Sequence, residues 1–144
     1  MVVKSGKELE YSRDLIPGKK DILELYSDAG WLAYTNDPDC LMKGINGSYG
    51  IYTAWTGMEL AGLARIIGDG FTIIYLQDIL VKEKYRRKGV GTKLLRMILD
   101  DYSGVRSVIL LTDESKVTDA FYRSLGFQPV GDNNCIAYQR IKGD

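Results

Sequence analysis

The stretch Ile73–Leu95, IIYLQDILVKEKYRRKGVGTKLL, decides the fold. Ile73 to Val81 is apolar and rich in β-branched side chains, the pattern of a buried strand. Lys82 to Lys88 is charged and cannot continue it. Gly89 and Gly91 allow a sharp turn and leave no Cβ in the way of a close ligand. Apolar residues then resume at helical spacing, with Leu94, Leu95, Ile98 and Leu99 on one stripe. Such a junction aims free backbone N–H groups and the positive end of a helix dipole at one point. Arg86, Arg87 and Lys88 stand just before it, so the junction suits a diphosphate. The plainer alternative is an ordinary tight turn with a solvated basic face.

Two common diphosphate motifs fail on spacing. A dinucleotide fingerprint needs a third glycine where Leu94 stands. A P-loop needs Gly-Lys-Ser/Thr, and the order here is Gly91-Thr92-Lys93. The remaining pattern, Arg86-x-x-Gly89-x-Gly91 after a strand, resembles the Arg/Gln-x-x-Gly-x-Gly/Ala signature of the GNAT acetyltransferases. Phe121-Tyr122-x-x-Leu125-Gly126-Phe127 is similar to a second motif of that family, one strand and one helix later. The family often carries Asn and Ala six and three residues before that Phe; Ser115 and Thr118 stand here instead. Gly30-Trp31-x-x-Tyr34 and Gly62-x-x-Arg65-x-x-Gly68-Asp69-Gly70 also look like a bacterial branch of the family.

Composition bounds the reading. A chain of 144 residues suits a single domain over 1–144 with a real core. With 45% hydrophobic and 26% charged residues and zero formal net charge, nothing global points to nucleic acid or an anionic membrane. The basic run at 82–88 is local and matches a small anion better. No apolar run approaches the roughly 20 residues of a membrane span, and Met1–Lys7 lacks the apolar core of a leader, so a cytoplasmic location is expected. Cys40 and Cys135 form no metal-type cluster, and free thiols are expected. Histidine is absent, which excludes Ser-His-Asp and Cys-His catalysis and histidine metal sites; no metal is expected.

The remaining elements follow in order. Residues 7–14 read as a polar edge strand. Short helices are expected near 21–26 and 41–45, the second started by Asn36-Asp37-Pro38. Trp31 and Tyr34, between them, are expected to line a pocket whose ring faces hold an amine; Trp31 packing under the first helix is the alternative. Residues 49–56 and 59–67 form a hairpin that turns again at Gly68-Asp69-Gly70 into the strand at 71–81. A helix at 90–102, a strand at 105–112, a helix at 116–125 ended by Gly126, and two closing strands at 127–130 and 135–141 complete the chain.

The resemblance implies an α/β (α+β) GNAT-like fold. Its mixed, mostly antiparallel sheet would have six or seven strands, splayed between those at 71–81 and 105–112, with about four helices. It implies acetyl-CoA as co-substrate, with the diphosphate held by Arg86, Arg87, Lys88, Gly89, Val90, Gly91 and Thr92. The pantetheine arm would lie along Ile79, Leu80 and Val81, with an oxyanion donor near the Ile79 amide. Tyr122 would protonate the leaving thiolate; a plain core tyrosine is the alternative. The acceptor would be a small-molecule amine or a peptide N-terminus, and a homodimer is left open. A coenzyme A-binding sensor or assembly module without turnover is the competing reading.

The general base is not specified by any motif. Strict alternation puts Tyr75, Gln77, Ile79 and Val81 on one face and Leu76, Asp78 and Leu80 on the other, unless a bulge re-aims Asp78. Asp78 is the first candidate base; Asp69, Glu59 and Asp113 are others, as is a water relay. The acceptor pocket is expected between the loop at 30–36 and the turn at 68–71. Trp31, Tyr34, Tyr75 and Gln77 would line it, and Asp69 would hold the ammonium group.

Overall fold

The computed structural model describes residues 8–142. Met1–Lys7, which includes the start of the expected first strand and the segment tested for a leader, lies outside the described residues. The chain divides into two compact units, residues 1–111 and 112–144.

The first unit is built on one sheet. Strands β1 (Leu9–Arg13), β2 (Gly50–Thr56), β3 (Glu59–Gly68), β4 (Ile73–Val81) and β5 (Ser107–Leu110) lie side by side in chain order. β1 to β4 are antiparallel, and β5 joins β4 in parallel. Helices α1 (Lys19–Asp28), α2 (Leu32–Thr35) and α3 (Pro38–Asn46) precede β2, and α4 (Val90–Asp101) links β4 to β5. Asp37 caps α3 by accepting from the Cys40 N–H at 3.2 Å, with Pro38 as the first helical residue.

Two apolar layers cover the sheet. On one face Ile22, Leu25 and Tyr26 of α1 and Leu41 and Ile45 of α3 form one cluster with Ile51, Leu60, Leu63 and Leu80. On the other, α4 buries Val90, Leu94, Leu95, Met97 and Ile98, each worth about 1.5–3 kcal/mol when fully buried. Glycine is needed at position 62: a Cβ there would lie 3.0 Å from Val90 Cγ1 and from the Leu80 carbonyl oxygen. The β3–β4 turn is equally demanding. Gly70 has φ +78°, and a Cβ would collide with the Tyr49 hydroxyl.

Strand β4 is not regular. Arg65 faces Asp78 but Ile66 faces Leu76, so Gln77 is an extra residue, a β-bulge. Opposed residues share a face. Tyr75 opposite Ile67, Asp78 opposite Arg65 and Leu80 opposite Leu63 therefore face α1 to α3, whereas Leu76 and Ile79, opposite Ile66 and Ala64, face α4. This corrects the strict alternation: Asp78 shares a face with Tyr75, and Ile79 and Val81 do not. β5 pairs only with Ile73 to Leu76, so the two strands part at the bulge.

The second unit holds α5 (Lys116–Ser124), capped by Ser115, whose Oγ accepts from the Thr118 N–H at 3.1 Å. Among the described residues there are thus five α-helices, and five strands where six or seven were expected. The two closing strands are absent among the described residues. Val130–Asn133 is a 3-10 turn instead, and the Cys135 N–H closes back on the Val130 carbonyl. Pro129, with no N–H, and Asn134, at φ +60°, suit that turn and not a ladder. Cys40 and Cys135 are free.

Candidate active site

The bulge gathers the residues expected to line an acceptor pocket. Asp78 is buried, and its Oδ2 accepts from the Tyr26 hydroxyl at 2.7 Å and from Arg65 Nε at 2.5 Å. Arg65 also donates to the Gly44 carbonyl and the Ser48 hydroxyl, at 3.2 and 3.3 Å. Its positive charge survives burial because the Asp78 carboxylate outweighs the lost solvation. Burial, then Asp78, pushes the Tyr26 hydroxyl far above the usual range. One residue earlier, Gln77 Nε2 donates to the Tyr34 hydroxyl at 2.9 Å. The Tyr26 ring meets Trp31 and Tyr34 edge-on, at 5.8 and 5.6 Å between centroids. Trp31, Tyr34, Tyr75 and Gln77 are all half-buried.

Asp69 is placed differently. Its carboxylate accepts from the backbone N–H groups of Phe71, Thr72 and Ile73 and from the Thr72 hydroxyl. Those bonds, the hydroxyl first, hold it well below the usual carboxylate range. It organises its own turn. Glu59 is likewise engaged, pairing with Lys82 at 3.0 Å, Lys84 at 2.8 Å and the Tyr85 hydroxyl at 2.5 Å. Lys84, then Tyr85, lower its carboxyl to about 2. Asp113 is exposed, in the second unit.

The glycine junction lies at the other end of β4. Arg87 and Gly89 both adopt left-handed backbone, φ +65° and +77°. The first intrahelical bond of α4 runs from the Lys93 N–H to the Gly89 carbonyl. The N–H groups of Val90, Gly91 and Thr92 therefore have no intrahelical acceptor. Arg86, Arg87 and Lys88 are exposed, and Arg86 Nε donates to the Val81 carbonyl at 3.1 Å, tying the basic turn to the strand end. The Glu83 N–H donates to Asp28 at the end of α1, which ties the turn to the helical layer. Ile79, Leu80 and Val81 pair with β3 on one side only, since β5 has already left. These features fit a diphosphate at the turn and an extended chain along the strand.

Tyr122 belongs to the second unit. Its ring packs edge-on against Phe121 and Phe127, at 4.9 and 5.8 Å, and burial raises its hydroxyl pKa. Ser115 and Thr118 are engaged with each other in the α5 cap.

Sequence reasoning missed the partners of Asp78. The signal was present: Arg65 is a lone charge inside the apolar run Glu59–Ile67, and a buried charge needs a counter-charge. It also missed that Glu59 gathers the lysines beside the turn.

A splayed strand that runs into a basic, glycine-led helix start is the arrangement of an acyl-carrier-binding transferase fold, and a family model described as "Acetyltransferase (GNAT) domain" matches residues 47–129. The chain belongs to the GNAT acetyltransferase family. A GNAT family protein from Streptococcus pneumoniae TIGR4 superposes with a TM-score of 0.84 at 30% identity, covering 95% of this chain and 100% of that one. The aminoglycoside N-acetyltransferase AAC(6')-Iy, solved in complex with CoA, shares the fold, with a TM-score of 0.71 at 15% identity over 99% of this chain and 100% of that one. The thialysine N-epsilon-acetyltransferase of Sus scrofa is 30% identical over 88 residues, 59% of this chain and 44% of that protein. The chain thus spans less than half the length of that curated relative. Among the described residues no helix is long and apolar enough to cross a membrane, and no cluster of metal-ligating side chains occurs.

Proposed function

We propose that the protein transfers an acetyl group from acetyl-CoA to a primary amine of a small molecule or peptide N-terminus, by direct attack in a ternary complex. The observation that carries this is the pairing at β4: its last residues lack a β5 partner where the α4 start offers three N–H groups without an intrahelical acceptor beside three exposed cations. The turn neutralises the diphosphate, and the free strand edge takes the pantetheine arm as an added strand. The amine nitrogen then attacks the thioester carbonyl, with the Ile79 amide donating to the developing oxyanion. The C–N bond forms, the C–S bond breaks, and the thiolate leaves with the bonding pair. The nitrogen gives its proton to water, and the thiolate takes one from a general acid, the role the family resemblance gives Tyr122; the phenolate is then reprotonated from solvent.

Asp78 is the first candidate for a base in this reading. Its pairing with Arg65 favours a structural role, so the amine arrives as its free base. Incubation with acetyl-CoA and an amine panel, counting released thiol, tests the proposal. Thiol release that depends on an amine is expected. Tight acetyl-CoA binding with no release from any amine would instead make the protein a coenzyme A-binding module.

A further inference from the structure

We infer that the acceptor is a monoamine with an apolar or aromatic body and that polycationic amines are rejected; this rests on the transferase reading above. The acceptor wall is aromatic and carries no free charge. Trp31 and Tyr34 lie 5.9 Å apart with rings tilted by 38°, and both are braced by Tyr26. The polar atoms of this wall are neutral groups, and two of them, the Gln77 amide and the Tyr34 hydroxyl, bond each other.

Asp78 and Asp69 are the two carboxylates expected beside this wall, and neither is available to a second ammonium group. The charge of Asp78 is matched by Arg65, and the residue is only 2% exposed. Its other oxygen, Oδ1, has no hydrogen-bond partner but is sealed from solvent, so an incoming amine cannot reach it. Asp69 is turned onto its own backbone by three N–H groups and a hydroxyl. One ammonium or neutral amine can rest against the ring faces. A second cation on the same molecule would lose water and gain no counter-charge. The apolar part of a monoamine loses nothing there.

The test is a matched pair of equal length, hexylamine and hexamethylenediamine, with spermidine as a third substrate. Steady-state kcat/KM, corrected for the free-base fraction, should favour hexylamine over the diamine by about ten-fold or more. Gln77→Glu restores a carboxylate on the wall, and the Tyr34 hydroxyl can turn to donate to it. That variant should narrow or reverse the preference. If the wild type uses the diamine or spermidine as well as hexylamine, the inference is overturned while the transferase reading stands. It is overturned too if folded Gln77→Glu, checked by circular dichroism, keeps the wild-type ratio. If acetyl-CoA binds and neither these three nor any other amine of the panel is acetylated, the transferase reading falls and takes the inference with it; if the panel yields a substrate only among amines with a second cationic group, the inference alone is overturned.

Discussion

The Tyr26 hydroxyl donates to Asp78 Oδ2 at 2.7 Å, and this buried bond fastens helix α1 to the bulged part of strand β4. Arg65 holds the same oxygen and reaches on to the end of α3. One carboxylate therefore sets the distance between the helical layer and the sheet.

Asp78→Ala should cost about 3–5 kcal/mol, because it leaves the Arg65 charge buried without a partner. Replacing both, as Arg65→Met with Asp78→Leu, should recover most of that loss. Thermal melts of the three proteins check this. A single variant as stable as the wild type would mean that Arg65 finds another partner.

Gly91→Glu should abolish acetyl-CoA affinity and leave the fold largely intact. Gly91 is the second residue of α4, half-buried beside the free N–H groups. A carboxylate there brings the wrong charge to the diphosphate position. Calorimetry on a folded variant with unchanged affinity would remove the junction from the site.

Glu59→Gln should show a pH-dependent loss of stability. The Glu59 carboxyl sits at about 2 in the folded chain against an ordinary 4.5, chiefly through Lys84 and Tyr85. A lowered folded pKa stabilises fully above the unfolded value and fades as pH falls through the folded one. The melting temperature of the variant should thus lie below that of the wild type at neutral pH, and the two should converge as pH falls towards 2. A gap that stays constant with pH would assign the loss to shape and not to charge.

Tyr122→Phe keeps the ring stacked between Phe121 and Phe127 and deletes the hydroxyl. Turnover should fall by roughly 10²–10⁴-fold while acetyl-CoA affinity stays similar. Near wild-type turnover would leave Tyr122 a packing residue alone.

What the sequence made legible was whatever is local. Apolar runs bounded by glycine turns gave β2, β3 and β4 within two residues of their ends, and the stripe through Leu94 and Ile98 gave α4. The glycine junction was legible because its residues are neighbours in the chain. The Asp78–Arg65–Tyr26 assembly was not. Its members lie 13 and 52 residues apart, and they meet only because one extra residue changes the phase of β4. Periodicity is blind to a bulge, since both phases are apolar on this doubly covered strand. The closing strands failed for the opposite reason: Cys135 to Ile141 has strand-like composition, yet no ladder forms there to make it a strand.

Gln77 divides β4 into two independently editable halves. Replacing Tyr75 alters the face towards α1 to α3 and leaves the α4 side alone. Replacing Ile79 or Val81 alters the floor beneath α4 and leaves the aromatic wall alone. In the proposed reading, the acceptor side and the cofactor side of the strand can therefore change separately. Losing Gln77 itself would rotate the first half of the strand as a block, turning Ile74 and Leu76 towards α1 to α3 and Tyr75 towards α4. Away from Asp78, side chains along this strand are open to variation; the number of residues in it is not.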